Sequence, residues 1–550
     1  MRAYIYIGLI SFLCFGAHAQ SDSTKTGQVV SGEVVIEKDK KITLPQADKI
    51  FLKSEPKSFQ NDPINVQFNV QEPSFEWPDY KSDVPYQFVQ DPYPIEEYQN
   101  YVKLGYGNYG SPLLEAGLFK TFGGFSTNTK LFYESFKSGP VNDENSGNRL
   151  GGVDLGGSYT TGSIVIKPSI SFQHRQYNFY GNADRQNTGY DTVVEEVLYD
   201  QFNLGVSLSG QSEEVSYEIR PSFGLSNQRI DGGTDLNKES VFNTTGNFSY
   251  KIDEAFTTGF ELEGNVSSYD GGLSYDRSLL NVNPWVTHYR ENLSITAGFM
   301  ISSGKVGSGS KTGFYPNISA EYDLSDKWTV FGLFSGGQSW NGLSQLLDEN
   351  EFLDDSLAIT HTEYTTKFGG GIKGSPIKNM LFEASITNSS TKGLPFYTPS
   401  VSDSSRYILS YDTENVNILT LESGISYMPT TTSTYGAKLQ INGYSVESLD
   451  RPWHRPSFVF EAYTSHNIQE KLIVSAHLTT IGGIRAPANV DFGYVKLPAF
   501  TDIGIGAKYL ITQRASAFID VNNLLNNEYE RYLGYPIRGL AFKIGGQYRF

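Results

Sequence analysis

The sequence predicts an all-β protein, a transmembrane antiparallel β-barrel of about 22 strands with a short irregular N-terminal extension. Three observations lead there. Apolar and polar residues alternate with a period of two from Tyr98 onward. Short turns alternate with longer polar connections at a regular rhythm. The composition, with 36 Tyr, 35 Phe and 55 Gly but a mean hydropathy of -0.35, is aromatic without being hydrophobic. Alternation dilutes the apolar residues of a membrane barrel in this way.

The alternation is clearest in the closing segment, Arg538 to Phe550, which reads RGLAFKIGGQYRF. Leu540, Phe542, Ile544, Gly546, Tyr548 and Phe550 fall on one side of an extended strand, and Ala541, Lys543, Gly545, Gln547 and Arg549 on the other. Upstream, Val215, Tyr217, Ile219, Phe223 and Leu225 oppose Ser216, Glu218, Arg220, Ser222 and Gly224. Leu472, Val474, Ala476 and Leu478 oppose Ser475, His477 and Thr479. A dry core does not hold this many carboxylates, because an unpaired buried charge is costly, so the polar face is wet and a sandwich is disfavoured. The apolar face is expected to meet lipid and the polar face a lumen.

Residues 1–19, MRAYIYIGLISFLCFGAHA, combine a basic start at Arg2, an apolar run and a small-residue pattern at Ala17-His18-Ala19, which is expected to be a secretory signal peptide. Cys14 is the only cysteine, so the mature chain is expected to carry neither disulfides nor cysteine-ligated metals. Residues 20–97 form a second region, holding eight of the 23 prolines. Proline fixes φ and removes a donor, which argues against helix or central strand. The interleaved Phe68, Phe75, Trp77, Tyr80, Tyr86, Phe88 and Tyr93 suggest an extended strap, periplasmic or luminal, that lies against something. The barrel is expected over residues 98–550.

Ten tight turns are expected near residues 123, 162, 213, 253, 290, 325, 377, 430, 469 and 512. Longer Gly, Asp, Asn and Ser-rich connections separate them, at 138–148, 180–197, 229–239, 268–277 and 340–356. Short turns on one side and long loops on the other, with both chain ends on the short-turn side, give 22 strands. Propeller blades would show a shared motif, and none recurs at the observed spacing of roughly 35 to 53 residues.

The net charge of -17 opposes a nucleic-acid partner, since it would repel phosphates. No HExxH, GxSxG or Walker loop occurs, and the seven histidines, His288, His454 and His477 among them, are scattered, so no enzyme and no cofactor is predicted. The acidic stretches Asp143-Glu144 and Asp348 to Asp355 lack EF-hand spacing and read as solvated surface loops. The charged residues placed on the lumen face are Glu218, Glu261, Glu263, Glu321, Glu383, Glu422 and Asp520, against Arg220, Lys508, Lys543 and Arg549. That excess of acid would favour cations or neutral solutes in an open path.

Residues 517–539, AFIDVNNLLNNEYERYLGYPIRG, followed by the closing strand, resemble the C-terminal end of TonB-dependent outer-membrane receptors. Asn523, Leu524, Tyr529, Arg538 and Phe550 carry the resemblance, which covers roughly Tyr98 to Phe550. It implies a 22-strand barrel in the outer membrane, surrounded by lipid and inserted by the barrel-assembly machinery, with Phe550 as a recognition mark for that insertion. The family also carries a folded plug of well over a hundred residues, which the shorter, proline-broken residues 20–97 do not match. GEVVIEK at 32–38 is the one stretch that could pair with TonB. The expected function is therefore a plugless transport channel or conduit. The alternative is a structural subunit docked to a protein partner in a larger outer-membrane complex, and the third reading is a TonB-energised nutrient receptor.

Overall fold

The computed structural model describes residues 100–140, 143–181, 194–230, 233, 235–488 and 493–550. The expected signal peptide, the strap and the candidate TonB-pairing stretch lie outside them. Twenty-two strands, from Tyr101–Gly107 to Ala541–Arg549, form one sheet in which each strand pairs antiparallel with the next. The ring closes where the first strand pairs with the last, from Tyr101↔Arg549 to Gly107↔Lys543. Closure removes every sheet edge, the condition for a β-structure to cross a bilayer. No described helix is long and apolar enough to cross a membrane.

The period of two sorts the side chains as expected. On Val215–Ile230 the outer face carries exposed Ile219, Phe223 and Leu225, and the inner face buries Ser226 and Gln228. On the closing strand Phe542, Ile544 and Tyr548 are exposed and Lys543 is buried. Exposed aromatics, among them Phe122, Tyr159, Tyr250, Tyr289, Tyr322 and Tyr509, gather near the tight turns, as in the girdle that marks a membrane interface.

All ten expected turns are present on one rim, between Phe122 and Phe125, Thr161 and Ile164, Gln211 and Val215, Lys251 and Phe256, Arg290 and Leu293, Ser325 and Trp328, Gly374 and Met380, Thr430 and Ser433, Ile468 and Leu472, and Leu510 and Ala515. The two-residue turns place Gly123 and Gly162 at φ 58, a left-handed value that residues with a Cβ rarely adopt, so glycine there sets the hairpin.

The opposite rim departs from expectation at three places. The stretches at 229–239 and 268–277 are mostly strand, pairing through Arg229↔Asp235 and Tyr275↔Tyr269 with only a few residues in the turn. Their Gly and Asp content marks the turn, but the ladder continues above the apolar belt and lengthens these strands to 15 to 17 residues. The third departure is the acidic stretch at 340–356. It is not a solvated loop but runs into the α-helix Leu343–Glu349 with Leu343, Leu346 and Leu347 buried. Short hairpins at Phe396–Pro399 with Tyr407–Ser410, Arg485–Pro487 with Tyr494–Lys496, and Glu530–Tyr532 with Tyr535–Pro536 complete this rim.

A capped lumen as the candidate functional site

Twenty-two strands spaced about 4.8 Å apart and tilted about 40° enclose a ring roughly 40–45 Å across, too wide for its own wall side chains to fill. Chain from the long-loop rim folds in across its mouth. The strand Trp328–Ser339 bulges at Gly336-Gly337, where Gly337 adopts φ 147, a left-handed value that glycine tolerates and other residues rarely do. The bulge turns Trp340–His361 inward. Phe352, Leu353, Leu357 and Ile359 then join the helix leucines in one buried core with Tyr177 and Tyr199 from the wall, Tyr397 and Tyr407 from one loop, and Tyr532 and Tyr535 from another. Counted around the ring, this loop follows the thirteenth strand, Tyr177 lies on the fifth, and Tyr535 precedes the twenty-second. Residues from three such widely separated points can share one core only by meeting over the mouth.

The contacts interlock. Phe352 stacks on Tyr535 with ring centroids 3.5 Å apart, and the Tyr180 hydroxyl donates to the Pro536 carbonyl at 3.2 Å. Tyr177 donates to the Glu351 carbonyl at 2.6 Å, Tyr532 to the Glu349 carbonyl at 2.8 Å, and Tyr407 to the Leu533 carbonyl at 2.8 Å. Burial drives the Tyr397, Tyr407 and Tyr535 phenols well above their ordinary range, so they remain donors.

Ion pairs latch this core to its surroundings. Arg455, 1% exposed, donates to Glu349 at 2.6 Å, and Tyr397 donates to the other oxygen of that carboxylate at 2.7 Å. Arg277 pairs with Glu239 and donates to the Asn341 carbonyl at 2.6 Å, while Glu239 accepts the Leu343 N–H at 2.7 Å. Arg175 reaches Asp348 at 2.7 Å, and Arg406 bridges Glu195 and Asp354. Asp348, Glu349, Glu351 and Asp354 are thus paired with arginines. The side chains of Asp143 and Glu144 lie outside the described set.

His454 sits inside the cap with its Nδ1–H directed at the Tyr397 carbonyl 2.8 Å away and its ring against Tyr407 and Tyr532. Burial pushes its imidazole down to about 3, so it is neutral at physiological pH. Asp412 behaves oppositely. Burial would raise it, but the Glu414, Leu449 and Glu447 backbone N–H groups and the Ser448 hydroxyl outweigh that and hold its carboxyl at about 2, tying two loops together. His288 stacks on Phe256 on the outer wall, and His477 faces inward. Among the described residues no three His, Cys, Asp or Glu converge to hold a metal.

Each of the eleven charged residues assigned to the lumen lies on the strand face opposite the exposed apolar residues. The structure does not leave them as a simple excess of acid. Glu218 pairs with Arg220, Glu321 with Lys373 at 2.7 Å, Asp520 lies 3.9 Å from Lys103, and Lys543 pairs with Glu134. Glu261 and Glu263 accept amide hydrogen bonds from Asn283 and Asn281 at 3.0 Å, and Glu383 and Glu422 face the register partners Lys373 and Gln440. Lys508 and Arg549 also have partners.

The C-terminal motif residues have distinct jobs. Asn523 adopts φ 47 and is buried, and its side chain donates to the Asn527 and Arg538 carbonyls at 2.8 and 2.9 Å, pinning the start of the last loop to its end. Tyr529 stacks on Phe500 at 3.6 Å and donates to Asp502 at 3.2 Å. The Arg538 guanidinium lies 4.0 Å from the Phe136 ring centroid. Leu524 and Phe550 are exposed, and the Phe550 N–H donates to the Asn100 carbonyl at 2.9 Å.

The cap residues were missed because their loop was read by its carboxylates. The counter-signal was in the sequence: Leu343, Leu346 and Leu347 stand at helical spacing, and Phe352, Leu353, Leu357 and Ile359 follow within a few positions.

A closed 22-strand transmembrane β-barrel whose long-loop mouth is capped by its own chain is the class these features define. Its fold is that of the TonB-dependent receptor barrels, in agreement with the C-terminal resemblance. Among solved structures it is similar to the FrpB iron transporter from Neisseria meningitidis (F3-3 variant), at TM-score 0.65 and 10% identity over 82% of this chain and 81% of that one. It is also similar to the ferric-catecholate import receptor Fiu from K12 E. coli, at TM-score 0.61 and 10% identity over 82% and 81%. The copper transporter OprC matches at TM-score 0.59 and 13% identity over 82% and 80%. No protein-family model and no curated protein matches the chain.

Proposed function

We propose that this chain is an outer-membrane transport barrel, a conduit whose outer mouth is closed at rest by the interlocked cap. The observation that carries the proposal is the cap itself: the mouth of a wide, polar-walled lumen is crossed by a folded assembly of loops with its own buried core and ion pairs. The tight-turn rim then faces the periplasm and the capped rim the exterior, lipid surrounds the exposed apolar belt, and the barrel-assembly machinery inserts the chain. The three similar proteins above are named for import or transport, which agrees with a solute path.

Planar-bilayer recording tests it. The full chain is expected to be nearly silent, and a variant with residues 342–358 replaced by a short Gly/Ser linker is expected to conduct in stable steps. If that variant stays silent even after residues 20–97 are also removed, a conduit role is out. The buried latches also favour a second reading, a permanently sealed barrel that serves as a subunit of a larger complex. A stoichiometric companion after purification in mild detergent, with no conductance from any variant, would select it. Energised uptake would require loss of uptake in a strain lacking TonB.

A further inference from the structure

The barrel wall has a fault towards its tight-turn rim, between the fourth and seventh strands. Pairing of Asn148–Thr161 with Ile164–Asn178 stops at Gly156↔Ser169 and resumes only at Tyr159↔Ile166. Pairing of Glu196–Gln211 with Val215–Ile230 stops at Gly205↔Ser222 and resumes at Leu208↔Ile219. Pro168 falls in the first gap and Pro221 in the second, and proline cannot donate to a ladder. The two gaps lie at the same height and open a recess of about 500 Å³ on the inner wall. Its floor is made of glycines. A Cβ at Gly156 would come within 2.1 Å of the Asn128 amide oxygen, and one at Gly205 within 3.2 Å of the Ser169 hydroxyl, so these polar groups pack over the floor because it has no side chains of its own.

Over that floor stand two cations. Lys167 is in register with Ser207, and Arg220 lies on the strand beyond, so the two charges flank the Ser207 hydroxyl from strands about 10 Å apart. Glu218 grips the Nε and Nη2 groups of Arg220 at 2.7 and 2.6 Å and accepts from Ser207 at 3.0 Å. That bidentate pair fixes the guanidinium plane and leaves its Nη1 edge unengaged. Lys167 is exposed and makes no ion pair among the described residues. Ser169, Ser222 and Thr245 add hydroxyls to the rim.

We infer that this recess is an anion subsite of the solute path, taking a carboxylate or phosphate group between Lys167 and Arg220. It rests on the reading of the lumen as a solute path. The chemistry is specific to this spot. Elsewhere on the wall Lys103, Lys373 and Lys543 lie beside carboxylates, whereas here Glu218 is spent on orienting Arg220 and no carboxylate stands among the described residues lining the recess. The recess is also of the size in which small ligands are held.

The test is calorimetric titration of the full chain in detergent with inorganic phosphate, citrate and the neutral trisaccharide raffinose. Heat-modifiable gel migration verifies that each variant is folded. Binding of phosphate or citrate is expected in the parent protein. It should fall at least tenfold in Lys167→Gln and in the charge-balanced double variant Glu218→Gln/Arg220→Gln, and be lost in Gly205→Leu, which fills the floor. Phosphate without citrate, or the reverse, identifies the group. Unchanged anion affinity in folded variants, binding of raffinose alone, or binding of none of the three would overturn the inference. Anion binding by a barrel that never conducts would leave the subsite standing and remove the conduit.

Discussion

Single side chains hold the cap at defined points, and their removal should be felt locally. Glu349 pairs with Arg455 at 2.6 Å, and Arg455 is inside the protein. Glu349→Ala removes the carboxylate from a buried ion pair, a loss of about 3–5 kcal/mol. The expected result is rapid proteolysis of the loop at residues 340–361 in a barrel that still migrates as folded. His454 gives the cap a pH dependence with a definite sign. Its pKa is about 3 in the folded protein against about 6.5 in an unfolded chain, so below pH ~6.5 the unfolded form takes up a proton that the folded form refuses. Cap stability is then fully present above that value and declines by about 1.4 kcal/mol per unit as the pH falls towards 3. Hydrogen-exchange protection factors at residues 530–535, each referred to the intrinsic rate at the same pH, should fall between pH 7.5 and pH 5, and His454→Asn should flatten the difference. Neither role is visible in the sequence. Glu349 and Arg455 are 106 positions apart, and only the folding of two loops over the mouth brings them together.

Elements differ in how far the sequence specifies them. The strands were legible because each has one face in lipid and one in water, which imposes a period of two that survives without any knowledge of neighbours. The ten tight turns were legible for a related reason, since a two- to five-residue reversal between strands demands turn chemistry within the turn itself. The stretches at 229–239 and 268–277 carry the same chemistry, yet strand pairing runs almost to their tips, because pairing there depends on the partner strand rather than on composition. The cap helix Leu343–Glu349 was obscured by its own charges, each of which is answered by an arginine far away in the chain. The last loop is an intermediate case. Its motif was legible as a resemblance, and the structure supplies the physical cause, the left-handed turn and paired amide bonds of Asn523. Asn523→Ala should cost about 2 kcal/mol through lost hydrogen bonds and a strained φ, read as faster exchange at residues 527 and 538–540 without loss of the barrel.

For the whole molecule, closure between the first and last strands places both ends of the barrel on the tight-turn rim, with the Phe550 N–H bonded to the Asn100 carbonyl. Phe550 contributes little packing, being nearly half exposed. Its deletion is therefore expected to leave the melting of refolded barrel within a few degrees of the parent. Surface levels in cells should nevertheless drop sharply if the residue is read during insertion, and normal surface levels would count against that role.

The seam has one further consequence. Because Asn100 and Phe550 are joined by a hydrogen bond and every strand has the same kind of neighbour, the ring has no structural beginning. A circular permutant that fuses residue 550 to residue 100 through a few glycines and opens at the turn after Thr430 should refold in detergent to the same barrel with the same cap. It would, however, end on Thr430 in place of an aromatic residue. Such a molecule would separate two kinds of information carried by one chain, the pattern that tells it what shape to take and the terminus that tells the cell where to put it.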